Sequence, residues 1–155
     1  MKKYGLIVLT FLLSACATSP QVNWQASNTA LFSQTAIQLK SNLWTDRMPK
    51  IALTEGATEL DFTDSLNGTL VLETSGQLPA DLTLFQLVFR QGEEIWSLPG
   101  SVLELRTPSE NNWEVVFNST LSVNINRPVS VALGVRDSFR ETWLVEHQVS
   151  IDKVY

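Results

Sequence analysis

The chain has 155 residues, with 11 Lys and Arg against 16 Asp and Glu and a formal net charge of −5. An acidic balance without a basic run argues against nucleic acid as a partner, because phosphate backbones reward clustered Lys and Arg. A single cysteine leaves no disulfide, so a domain of this size must be held together by burial alone.

Met1-Lys2-Lys3-Tyr4 is a short positive segment, and Gly5 to Leu13 is uncharged and largely apolar. Spanning a bilayer takes about 20 apolar residues, so this stretch is too short to cross but has the size of an export signal. Leu13-Ser14-Ala15-Cys16 follows, and the small residues at 14 and 15 let a peptidase reach the backbone ahead of the thiol. The segment resembles the bacterial lipoprotein signal, matching its Leu-Ser-Ala-Cys box at all four positions. The resemblance implies a signal peptide over residues 1–15, cleavage before Cys16, and lipid attachment (diacylglyceryl, with palmitate-type N-acylation) at Cys16. It also implies a place in the cell: Ala17, where Asp would mark retention at the inner membrane, favours the outer membrane with the domain facing the periplasm. Burial of acyl methylenes contributes about 0.8 kcal/mol each, and two or more chains anchor stably.

Residues 16–30 are rich in Ala, Thr, Ser, Pro, Gln and Asn and are expected to form a flexible tether behind the lipidated cysteine. A coil of about 15 residues spans roughly 20 Å, at about 5–6 Å times √n. Trp24 lies within it, either as an interfacial anchor or packed on the domain. Residues 31–155 are expected to form the domain, and their dominant signal is period-two alternation. One or two helical turns around Leu31, within Ser27 to Lys40, are the only helical expectation.

Ile37, Leu39 and Leu43 share one parity. Leu60, Phe62, Leu66, Leu70 and Leu72 share another, with Asp64 and Gly68 as turn or bulge positions. Leu82 to Phe89 is apolar on both parities and predicts a central strand. Gln91-Gly92-Glu93-Glu94 predicts a hairpin turn into Ile95-Trp96-Ser97-Leu98, which Pro99-Gly100 ends. A short strand over Val102 to Leu105 and a polar loop over Thr107 to Asn112 come next. Trp113, Val115 and Phe117 alternate, as do Leu121, Val123 and Ile125, and then Val129, Val131, Leu133 and Val135. A turn at Asp137 to Arg140 leads into Trp143, Val145, Val149 and Ile151 on a single parity. Such a series of short strands predicts an all-β fold, a single antiparallel β-sandwich that is immunoglobulin-like in plan but lacks the cysteine pair. Small β-sandwich lipoproteins of secretion systems are similar in plan, without a shared motif.

Little points to catalysis or a cofactor. His147 is the sole histidine, no Gly-x-Ser-x-Gly elbow occurs, and Ser–His chemistry needs an activated nucleophile and an orienting group besides. Zinc needs several His or Cys ligands. Glu93-Glu94 reads as a solvated turn rather than the spaced pair of a glycosidase. The expectation is therefore a non-enzyme without cofactor or metal. Aromatic residues carry the binding candidates. Trp44 has the parity of the solvent face, Trp96 is ambiguous, and Phe139 stands in a turn between Arg136 and Arg140. Exposed aromatics beside Arg have the composition of an interface hot spot. The reading is an envelope lipoprotein bound to the membrane through Cys16, with a protein partner. The alternative is a small-ligand or glycan-binding module built on the tryptophans.

Overall fold

The computed structural model describes residues 21–46 and 65–155. The signal-like segment, Cys16, the alternation at Leu60 and Phe62, and Met48-Pro49 beside Trp44 lie outside the described residues. Ten strands are described: β1 (Thr29–Phe32), β2 (Thr35–Asp46), β3 (Leu66–Glu73), β4 (Thr83–Gln91), β5 (Glu94–Pro99), β6 (Glu104–Ser109), β7 (Asn112–Ser119), β8 (Val129–Arg136), β9 (Glu141–Val149) and β10 (Ile151–Val154). They form two sheets packed as a β-sandwich. The first runs β1-β2-β3-β7-β6, with β10 also paired to β2, and the second runs β5-β4-β8-β9. All pairings are antiparallel except β10 with β2, which is parallel.

Alternation builds the interior as expected. Ile37, Leu39 and Leu43 of β2, Leu70 and Leu72 of β3 and Val115 of β7 meet Leu87 and Phe89 of β4 and the odd-numbered valines and Leu133 of β8. Each such side chain, fully buried, contributes about 1.5–3 kcal/mol. β4 is indeed central in its sheet, lying between β5 and β8. Gly68 does not mark a turn. It sits in regular β3 between Leu43 and Phe117, where a Cβ would strike the Phe117 ring and the Leu43 side chain.

Four further local expectations differ from the structure. The segment around Leu31 is no helix but a β1–β2 hairpin, and its two turn residues Ser33 and Gln34 both have positive φ, 47° and 68°. That is the conformation of a two-residue primed turn, without the Asn or Gly that would announce it. The strand expected over Val102 to Leu105 starts at Glu104 and runs on into the expected polar loop as far as Ser109, after a 3-10 turn at Gly100–Val102. Leu121 to Ile125 is not a strand, although Val123 and Ile125 are buried. There the chain passes from one sheet to the other, and alternation records the side facing the core, not pairing.

The fourth difference is in β9. Trp143 and Val145 were expected to face the core with Val149 and Ile151. Instead the β8–β9 register shifts between Val129 and Val131, and Gln148 takes φ 57°. This extra residue reverses the parity. Leu144, Val149 and Ile151 join the main core, while Trp143 and Val145 face outward with Val88 and Ala132. Val22, Trp24 and Ala26 cover that outer cluster. The segment expected to be a loose tether is thus docked on the sheet from Val22 onward, ahead of the expected domain start at residue 31.

Candidate functional site

The turn at Asp137 to Arg140 stands at one end of the sandwich, between β8 and β9. Its backbone N–H groups are all engaged. Asp137 donates its N–H to the Arg140 carbonyl at 3.0 Å. The Asp137 Oδ1 accepts the N–H groups of Phe139 and Arg140, each at 2.8 Å. Asp81, from the loop before β4, reaches across, and its Oδ2 accepts the Ser138 N–H at 3.0 Å and the Ser138 hydroxyl at 2.6 Å. These bonds, the hydroxyl's first, hold the Asp81 carboxyl below its ordinary value. The loop so fixed presents Phe139 at 88% exposure.

The flanking arginines are turned to the chain's own groups. The Arg136 guanidinium lies 5.0 Å from the Phe85 ring centroid and pairs with Glu141 at 2.5 Å. That of Arg140 lies 4.8 Å from the ring of buried Phe32. Arg136, Phe139 and Arg140 are therefore brought together at one end, as their spacing requires, with the aromatic outward and the cations braced against the domain.

Trp44 and Trp96 are elsewhere. Trp96 is paired with Phe89 across β4–β5 and packs against the main core, which gives its indole a structural role. Trp44 is half-buried on the outer face of the larger sheet. With Asn67, Val102, Glu104, Val116 and Asn118 it lines a cavity of about 350 Å³, and Asn118 donates an amide hydrogen bond to Asn67.

His147 has partners that the sequence did not reveal. Its Nδ1 lies 2.9 Å from the Ser130 hydroxyl and its Nε2 lies 2.9 Å from the Trp24 carbonyl oxygen. A carbonyl only accepts, so Nε2 donates to Trp24, which leaves Nδ1 as the ring nitrogen that faces the Ser130 hydroxyl. This places a base beside a hydroxyl, oriented by a backbone carbonyl rather than a carboxylate. Glu146 points the other way, as strand alternation requires, and its Oε2 accepts the Ser41 N–H of β2 at 2.8 Å. No group of three or more potential His, Cys, Asp or Glu metal ligands occurs among the described residues.

No protein-family model matches the chain, and the search of curated proteins found no significant match to it.

Proposed function

We propose that the chain is an outer-membrane lipoprotein, anchored through lipid on Cys16, whose periplasmic β-sandwich binds an envelope protein and catalyses no reaction. The observation that carries this reading is Phe139, an exposed aromatic on a loop whose amides are all engaged. A contact already ordered before binding loses little conformational freedom on association. A lipid anchor adds effective concentration near membrane partners.

The test is crosslinking in intact envelopes, with a photoreactive phenylalanine analogue at Phe139 of the lipidated protein. One abundant envelope protein in the eluate is expected, and Phe139→Ala should weaken its binding by about 2 kcal/mol or more. The same substitution should change folding stability by no more than about 0.5 kcal/mol. An empty eluate from folded, membrane-bound protein would overturn the protein-binding role. For the anchor, Cys16→Ala should accumulate unprocessed, unacylated precursor, and a variant still cleaved and acylated would refute it.

A second reading rests on Trp44. An indole face beside Asn67, Asn118 and Glu104 has the composition of a small-ligand or glycan site. Under that reading Trp44→Ala abolishes glycan retention while Phe139→Ala leaves it unchanged.

A further inference from the structure

The N-terminal segment gives the sandwich two distinguishable ends. Residues 24–32 run antiparallel to β9. The Trp24 carbonyl meets His147 Nε2 at 2.9 Å, the Ser27 carbonyl accepts the Val145 N–H at 3.0 Å, and Phe32 lies under Arg140. The chain thus enters beside the β4–β5 hairpin and runs toward the Phe139 end. Cys16 precedes Val22 by so few residues that even a fully extended chain, at about 3.3–3.6 Å per residue, reaches only about 20 Å.

At the entry end is a crevice of about 290 Å³ lined by Arg90, Gly92, Arg127, Pro128, Ser130 and Gln148, among others, with no carboxylate among the described residues of its wall. Both arginines are presented by fixed structure. The Arg90 guanidinium lies 4.4 Å from the Trp24 ring centroid, a cation–π contact. The turn bearing Arg127 is held by Gln91, whose Nε2 donates to the carbonyls of Asn124 at 2.9 Å and Arg127 at 3.1 Å. Lys153 adds a third cation on the same turn, its Nζ donating to Asn126 Oδ1 at 2.6 Å. Neither Arg90 nor Arg127 is ion-paired among the described residues. Glu93 and Glu94 follow Gly92 in the hairpin and stay outside the crevice wall.

We propose that this crevice seats the phosphate of an anionic lipid headgroup in the bilayer that holds Cys16, with the Arg90–Arg127 end on the membrane and Phe139 facing away. The inference rests on the lipoprotein reading. The short chain between Cys16 and the docked segment brings this end to the bilayer. A guanidinium pair matches phosphate in charge and geometry.

The experiment uses the lipidated full chain in phosphatidylcholine vesicles with or without phosphatidylglycerol, both doped with a nitroxide-headgroup quencher. A fluorophore is attached through Glu93→Cys at the entry end or Ala80→Cys beside Asp81 at the far end, since acylated Cys16 does not react. Anionic vesicles should quench the probe at position 93 and spare that at position 80. Arg127→Gln, which leaves the Arg90–Trp24 stack intact, should lower the headgroup-contacting population roughly fivefold, and Arg90→Gln with Arg127→Gln roughly 25-fold. Lys40→Gln with Arg106→Gln, remote from the crevice, should leave it unchanged. Equal quenching at both positions, or a contrast that survives the double arginine variant, would overturn the orientation. Saturable binding of inorganic phosphate without a quenching contrast would make the crevice a soluble-anion site and overturn the lipid assignment. The mass of Cys16 separates the two readings. An unacylated cysteine defeats both, whereas an acylated one without contrast defeats only the orientation.

Discussion

Gln91 shows how one polar side chain can organise an end of the sandwich. It ends β4, is 8% exposed, and its amide serves three backbone groups at once: the Asn124 and Arg127 carbonyls and the Asn124 N–H, the last at 2.9 Å. Those groups belong to the crossing between sheets, where no neighbouring strand offers partners. Gln91→Leu keeps much of the volume but leaves these groups unpaired, which costs about 1–3 kcal/mol for a buried unsatisfied group. Urea denaturation should show that loss, and a change below about 0.5 kcal/mol would mean that water replaces the amide. Glu146 serves a similar need. β1 and β10 both pair with β2, covering Thr35 to Gln38 and Leu43 to Asp46. Glu146 accepts the Ser41 N–H in the gap between them. Neither role was legible in the sequence: Gln91 read as a turn residue, and a lone Glu146 in an alternating strand carries no sign of a partner over a hundred residues away.

The Asp137–Arg140 turn was legible. Asp, Ser and Arg between two apolar alternations announce a turn, and Asp at its head bonds forward to the following amides. What could not be read is the clamp from Asp81, a residue far away in sequence. Its carboxyl is held below the ordinary value of 3.8 by the Ser138 hydroxyl and N–H. A group with a lowered folded-state value stabilises fully above its unfolded value, and that contribution is lost as pH falls through the folded one. Protection of the Ser138 amide against hydrogen exchange should therefore hold down to about pH 3.8 and decline below it. Asp81→Ala should remove the protection even at neutral pH; if it does not, the clamp is not what orders the loop. In β9 the limit of pattern reading is different. Parity was extended across Gln148, whose positive φ makes the bulge, and every side chain before it was consequently assigned to the wrong face. Bulges have no reliable composition in a strand that lacks glycine.

At the scale of the molecule, one side of the sandwich is sealed and the other is open among the described residues. Chain passing from β9 into β10 joins the sheets on one side, where the Ser27 carbonyl also pairs with Val145 of β9. On the other side lie β5 and β6, linked by the Gly100–Val102 turn. Their edges carry Pro99, Pro108, Glu94, Glu104 and Arg106, residues that discourage further strand pairing. The N-terminal segment belongs structurally to the sealed side. Trp24→Ala removes a half-buried aromatic and its cation–π contact with Arg90, which together should cost about 1–2 kcal/mol. Limited proteolysis should then cleave residues 21–28 before the domain unfolds. Cleavage no faster than in the unsubstituted protein would show that Trp24 does not hold the segment down.

Hydrophobic alternation was enough to assign an all-β sandwich, its central β4 strand and most of its buried residues, because side-chain direction in a strand follows from local covalent geometry. The sequence likewise placed Phe139 in a turn flanked by arginines. Tertiary structure alone decided that Phe139 is held outward by Asp81, that Trp96 packs against the core, that Trp143 faces away from it, and that Arg90 and Arg127 line one crevice. Each of these depends on which strands become neighbours or where a register slips by one residue. Such choices are settled by packing between segments distant in sequence, for which local patterns carry no signal.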